Sequence, residues 1–306
     1  MTNFKIIQKR NIWLGISLAL FVVFTLALFV WGLKFGIDFT GGSLLEVKFM
    51  GTRPSVSQVE AGLAELKLNS LIIQPVGEQD MMLKFQETSE EIHQAALSKL
   101  EELTKKENKN NLVEEQRFES VGPSIGAELK IKSLWAIFFA LIAMLSYITY
   151  AFRKVSKPVA AWKYGLAAII AMLHDVVITM GVFAFLGHFY GIEINTAFVA
   201  AVLTVLGYSV HDTIVVFDRL RENLPKSNED FEGTINTSLN QTIVRSLNTS
   251  LTVLLVLAAI IIFGGASIRT FVLALAIGIF IGTYSSIFVA SPILAVWEKW
   301  GKSRNA

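Results

Sequence analysis

Six long apolar runs constrain this 306-residue chain more than any other feature. They cover about Ile12–Leu33, Leu134–Phe152, Trp162–Leu186, Asn195–Phe217, Leu247–Phe263 and Phe271–Trp297. A membrane-spanning helix takes roughly 17–25 predominantly apolar residues, so each run is long enough to cross once. In a bilayer the backbone must satisfy its own hydrogen bonds, which makes helices of such runs. A residue content of 53% hydrophobic and only 17% charged, with a mean hydropathy of +0.54, agrees with a polytopic membrane protein and excludes an ordinary soluble domain. Lys5, Lys9 and Arg10 precede the first run as they would in a signal peptide. The run is too long for one and no small-residue cleavage site closes it, so it reads as a retained anchor.

Charge in the short connections predicts orientation. Lys5, Lys9 and Arg10 precede the first span, and Arg153, Lys154 and Lys157 follow the second. Arg219, Arg221 and Lys226 follow the fourth, and Lys299, Lys302 and Arg304 follow the sixth. The connections on the other side, GHFYGIEI and GGASIRT, carry only Arg269. Both termini are therefore expected in the cytoplasm, and the long segment 34–133 outside. The expected division is 1–33 (cytoplasmic N-terminus and first span), 34–133 (outer domain), 134–297 (five-helix bundle) and 298–306 (cytoplasmic tail). With no cysteine in the chain, disulfides and thiolate-bound metal are excluded.

The outer segment alternates strand and helix signals. GGSLLEVKFM reads as a strand, and SVSQVEAGLAELKL as a helix capped by Ser55 with Val56, Val59, Leu63 and Leu66 on one face. LIIQPVG and DMMLKFQ read as two strands joined by a turn at Gly77–Asp80. A second helix opens with Thr88 and Glu91 as a capping box and carries Ile92, Ala96, Leu100 and Leu103. LVEEQRFESVG closes as a strand. The order β-α-β-β-α-β predicts a ferredoxin-like α+β domain. His93, in a helix rich in Glu and Lys, reads as part of a solvated face.

Two carboxylates lie well inside the runs, Asp175 and Asp212, each directly after a histidine, His174 and His211. An acid at the centre of a span costs about 2.5–3.5 kcal/mol on insertion scales, and such residues usually mark ion or proton paths. Neighbouring residues on a helix point about 100° apart, so Ser209, Asp212 and Val216 share one stripe and Gly207, His211 and Ile214 another. Three roles stay open: buried acids that only hold helices together, a metal site of two His and two Asp, or a proton relay. Adjacent residues of a regular helix poorly reach one ion, which counts against the metal. Arg245, in a polar run with Asn240, Gln241, Asn248 and Thr249, is a candidate partner for Asp212 on a helix expected to line a wet cleft. Gly278 and Gly282 form a GxxxG, expected at a tight crossing.

Several blocks occur in order along nearly the whole chain: GIDFTGGSLLEV, VGPSIGAEL, LHDVVITMGVFAF, GYSVHDTIVVFDRLREN, RSLNTSLTVLL and GTYSSIFVASPIL. Together they resemble the SecF family of bacterial protein-export membrane proteins. The resemblance implies half of an RND-superfamily bundle, paired with SecD in the inner membrane. It implies association with the SecYEG channel, with YajC and YidC as further candidate partners, and use of the proton-motive force to help export unfolded polypeptides after SecA-driven insertion. It implies essential roles for Asp212 and Arg245. Asp218, Arg219, Arg221, Glu222 and Asn223 match the end of the fourth-span motif, and Gly36, Asp38, Gly41 and Gly42 the first-loop motif. One residue departs from the pattern: His211 stands where the family more often has Asn, either tuning Asp212 or hydrogen-bonding as Asn would. The expectation is a non-enzymatic accessory subunit without cofactor, metal or nucleic acid. The alternative is a non-transporting scaffold for SecD or the translocon. An RND-type small-molecule or metal exporter is disfavoured, because such exporters carry two homologous halves.

Overall fold

The computed structural model describes residues 4–107, 112–153 and 160–305. Lys154 and Lys157 of the expected basic connection lie outside the described residues. The chain divides into two compact units, Met1–Lys34 with Leu134–Ala306, and Phe35–Ser133.

The first unit begins with a short 3-10 turn and helix α1 (Arg10–Trp31). Ahead of it, Asn236 accepts hydrogen bonds from the Ile6 and Ile7 amides, and Asn240 bonds both to the amide and to the carbonyl of Phe4. Arg10 pairs with Glu232 at 2.6 Å.

The second unit opens with the short turn α2 (Ile37–Thr40) and continues through β1 (Gly42–Phe49), α3 (Val56–Leu63), β2 (Ile72–Val76), β3 (Asp80–Phe85), α4 (Glu90–Glu107) and β4 (Val113–Val121). The strands form one sheet in the order β2-β3-β1-β4, every neighbouring pair antiparallel. Leu45, Val47, Met81 and Leu83 from the sheet bury against Val59 and Leu63 of α3 and Ala96 and Leu100 of α4. Burying each such side chain contributes about 1.5–3 kcal/mol. Ser55 caps α3 in a full capping box with Gln58. At α4 the cap differs from expectation. Ser89 rather than Thr88 accepts the Ile92 amide, and the Thr88 carbonyl accepts from Ser120 instead.

His93 also departs from expectation. It is buried, stacked on Phe118 with ring centroids 3.6 Å apart, and its two ring nitrogens lie 3.0 Å from Glu90 and 3.1 Å from Glu115. A bulge explains the arrangement. Glu46 pairs with Arg117 but Val47 with Glu115, so Gln116 is the extra residue. The extra residue shifts the strand alternation and lets Glu115 and Phe118, three apart, both reach His93.

The remaining helices are α5 (Pro123–Ala151), α6 (Ala161–Tyr190), α7 (Thr196–Asn223), α8 (Phe231–Phe263), α9 (Ala266–Ser285) and α10 (Ser291–Asn305). Among the described residues, six helical stretches are long and apolar enough to cross a membrane: Ile7–Trp31, Pro123–Ala151, Trp162–Tyr190, Thr196–Asn223, Phe231–Phe263 and Ile268–Trp300. Most outrun the apolar runs that announce them. α7 continues through its charged end on the Arg219–Glu222 and Asp218–Arg221 pairs, both at i,i+3 spacing. α8 begins sixteen residues before Leu247, capped by Asp230. In its polar first half, Thr234, Ser238 and Thr242 donate their hydroxyls to carbonyls four residues back, so these side chains are satisfied on their own helix.

Between α9 and α10 lies one π-helical turn, Ser286–Ala290. Pro292 follows it. Proline has no N–H to give the carbonyl four residues back and its ring clashes there, and a widened turn relieves both. The glycines of α9 set its distance from α7. A Cβ on Gly278 would collide with Val205, and one on Gly282 would meet Ser209 at 3.0 Å.

Candidate functional site

Asp175 lies halfway along α6 and is fully buried. Its Oδ2 accepts hydrogen bonds from Ser209 Oγ at 2.6 Å and Ser285 Oγ at 2.7 Å, which come from α7 and α9. Its Oδ1 lies 3.0 Å from His174 Nδ1, within hydrogen-bonding distance. The carboxyl thus joins three helices. The small residues Ser209 and Gly282 are what allow α7 and α9 to come this close. The His174 ring borders a cavity of about 330 Å³ between α1, α6 and the π turn, with Leu18, Phe21 and Val289 among its walls.

Asp212 is also buried, at 3% exposure, but is held far less tightly. Thr283 Oγ1 lies 3.3 Å from its Oδ2. That hydroxyl is 2.6 Å from Ser250 Oγ on α8, which in turn is 3.2 Å from Tyr208 Oη on α7. A row of hydroxyls therefore runs from Tyr208 through two other helices and back to Asp212, one turn further along α7.

Arg245 does not meet Asp212. Among the described residues no ion pair or hydrogen bond joins them. Instead Arg245 lines a polar cavity of about 450 Å³ between α7 and α8, with Asp218, Arg219, Glu222, Gln241 and Thr242. Arg219 donates to Gln241 at 2.6 Å and to Glu222 at 2.7 Å, and Asn223 donates to Ser238 and Gln241. The end of the fourth-span motif thus ties α7 to α8. His211 is exposed, and no hydrogen bond replaces the one Asn would make among the described residues. His174, Asp175, His211 and Asp212 do not converge on one point, and no group of three acidic or histidine side chains among the described residues is arranged for a metal.

Two exposed polar stripes flank that cavity. On α8, Arg245, Asn248, Thr249 and Thr252 are exposed at i, i+3, i+4 and i+7. On α7, Thr204, Gly207, His211 and Asp218 are exposed at matching helical spacing. A polar stripe in a membrane span is costly against lipid and is covered by another polar surface.

The first-loop residues belong to the second unit. Gly36 and Asp38 open α2, and Gly41 and Gly42 have φ of +76° and +119°, where a side chain is strained. A Cβ on Gly41 would lie 2.7 Å from Pro123, and one on Gly42 would lie 2.7 Å from the Phe85 carbonyl. This motif packs the start of β1 against the start of α5. The residues that sequence reasoning misses are Ser250, Thr283, Ser285 and Tyr208. A hydroxyl inside an apolar run is their only signal, and it is a weak one.

The chain is similar to known protein-export membrane proteins. A family model described as protein export membrane protein SecD/SecF, C-terminal, matches residues 99–300. One described as the SecD/SecF GG motif matches residues 26–49. The chain is 45% identical over 305 residues to the protein translocase subunit SecF of Thermobaculum terrenum, covering 96% of this chain and 93% of that protein. It is 38% identical over 304 residues to SecF of Anaerolinea thermophila, covering 98% and 96%. Its structure is similar to crystalline SecDF of Thermus thermophilus, a translocon-associated membrane protein, with a TM-score of 0.80 and 32% identity. A super-membrane-facing form of SecDF gives a TM-score of 0.70 and 30% identity. This chain covers 97% and 100% of itself in those matches, but spans only 39% and 40% of the length of the two solved chains.

Proposed function

Since the chain belongs to the SecF family of protein translocase subunits, we propose that it is a non-catalytic accessory subunit. In this reading it pairs with SecD in the bacterial inner membrane and couples the proton-motive force to export of unfolded polypeptides. The observation that carries the pairing is the uncovered polar face of α7 and α8, centred on Arg245. Such a face calls for a partner helix that brings polar groups, and an acid opposite Arg245 is the natural complement. The chain's span of about two fifths of each SecDF chain fits one half of an RND-type bundle, with SecD as the other half.

Within that reading the two buried acids divide the work. Asp175 is fully engaged and serves as the joint of α6, α7 and α9. Asp212 has one long hydrogen bond and is the group free to exchange protons. His211 faces the partner side rather than Asp212's hydroxyl row. One elementary charge crossing 100 mV releases about 2.3 kcal/mol, enough to bias a conformational equilibrium by tens of fold but not to unfold a stable substrate. The proposed work is therefore rectified movement of a chain already threaded through SecYEG, with YajC and YidC as candidate neighbours. We assign the sheet unit as a ferredoxin-like extracytoplasmic domain on its strand order, with the domain limits 34–133 and both termini cytoplasmic on the placement of basic residues.

A photo-crosslinking residue at Asn248 tests the pairing. In membranes that also contain SecD, it is expected to capture SecD as the major product. Capture of lipid alone would contradict the partner-facing assignment.

A further inference from the structure

We propose that Tyr208, Ser250 and Thr283 form the route by which a proton reaches Asp212. The proposal rests on the proton-coupling role given to Asp212 above and adds the path. Asp212 is buried, and Thr283 is the one hydrogen-bond donor that reaches it among the described residues. The hydroxyl row leads away from it through buried Ser250 to Tyr208. Tyr208 is half-exposed and sits beside Gly207 and His211 on the uncovered face of α7. The row thus joins a buried carboxyl to a surface where water or a partner can supply protons.

The hydrogens on this row are over-subscribed. Thr283 Oγ1 has one hydrogen but three acceptors in reach: Asp212 Oδ2 at 3.3 Å, the Ile279 carbonyl at 2.9 Å and Ser250 Oγ. Ser250 likewise has one hydrogen for the Ser246 carbonyl at 2.9 Å, Thr283 and Tyr208. Each hydroxyl can turn from a carbonyl of its own helix toward the row without breaking the fold.

When Asp212 is ionised, Thr283 donates to it, Ser250 to Thr283, and Tyr208 to Ser250. A concerted shift then passes each hydrogen one place toward Asp212, and Tyr208 takes a replacement from hydronium at the exposed end. One proton enters and one O–H forms on the carboxyl, while every hydroxyl keeps its count. Once Asp212 is protonated it donates to Thr283, and Thr283 and Ser250 turn back to the Ile279 and Ser246 carbonyls. That break resets the row.

The test uses the full chain co-reconstituted with SecD in liposomes holding a pH-sensitive dye, with an imposed pH gradient. Thr283→Val keeps the shape and removes the hydroxyl; Thr283→Ser keeps the hydroxyl. Thr283→Val is expected to slow proton uptake roughly tenfold or more, a barrier change of about 1.4 kcal/mol. Thr283→Ser is expected to stay within about twofold, well under that barrier change. Retained SecD co-purification confirms that both variants fold. Wild-type uptake by Thr283→Val beside a silent Asp212→Asn overturns the route but leaves Asp212 as the coupling group. Equal loss in both Thr283 variants overturns the route in favour of a packing role. Uptake that survives in Asp212→Asn overturns the coupling reading itself, and the route with it.

Discussion

Asp175 and Asp212 differ in what holds them, and the difference lies in single hydroxyls. Two serines at 2.6 and 2.7 Å and a histidine saturate Asp175. One threonine at 3.3 Å leaves Asp212 under-satisfied. The acids are legible in sequence because a charge inside an apolar run stands out. Their hydroxyl partners are not, since a serine or threonine in a helix can satisfy itself on the carbonyl four residues back and leaves no periodic trace. His93 shows the same limit outside the membrane. Its neighbours in sequence are polar, and only the bulge at Gln116, invisible in the residue pattern, makes its surroundings a core. His93→Ala is expected to raise amide exchange in α4 and β4 of the full chain by about fivefold to a hundredfold while leaving α6 and α7 unchanged. Losing two hydrogen bonds and a ring stack costs about 1–3 kcal/mol at such a site. Unchanged exchange in α4 would show that the ring does not clasp the two elements. The Glu90 carboxyl is held below its usual range by Gln94 and then by His93. Its share of the clasp is therefore present above the ordinary carboxylate pKa and is lost as pH falls through the lowered value.

At the scale of elements, α7 and α9 set the geometry of both acids. Their approach depends on Gly278 and Gly282, which the GxxxG spacing makes legible in sequence. A methyl at Gly278 collides with Val205. Gly278→Ala is expected to destabilise the bundle by about 1–3 kcal/mol, the usual cost of overpacking. Adding Val205→Ala is expected to restore most of that loss, since the two residues are in direct contact. Thermal unfolding in detergent measures both; a double variant no better than Gly278→Ala would place the strain elsewhere. Helix ends are less legible than helix existence. The apolar runs locate α7 and α8 but stop where charge or polarity begins, whereas the helices continue past them with ion pairs on α7 and the Asp230 cap on α8. The π turn before Pro292 carries no signal beyond the proline itself.

At the scale of the whole molecule, the described contacts link the start of α1 to α8. Asn236 and Asn240 hold the backbone of Phe4 to Ile7, and Arg10 pairs with Glu232. α8 carries Arg245, and α1 leads directly in sequence to the sheet unit, so a displacement of α8 has a covalent and hydrogen-bonded line toward that unit. The six spans, the two-unit division and the uncovered polar face follow from hydropathy and charge. That Asp212 and Arg245 do not meet each other among the described residues does not, because a sequence reports which groups a motif contains and not which partner each has chosen.

The central claim is that Asp212 couples the proton gradient to export. Inverted membrane vesicles carrying Asp212→Asn, assayed for export with and without an imposed proton gradient, test it most directly, with crosslinking to SecD as the check on assembly. The account predicts that the gradient-dependent part of export disappears while SecD binding persists. Gradient-dependent export at the wild-type level would contradict it and leave the chain a scaffold.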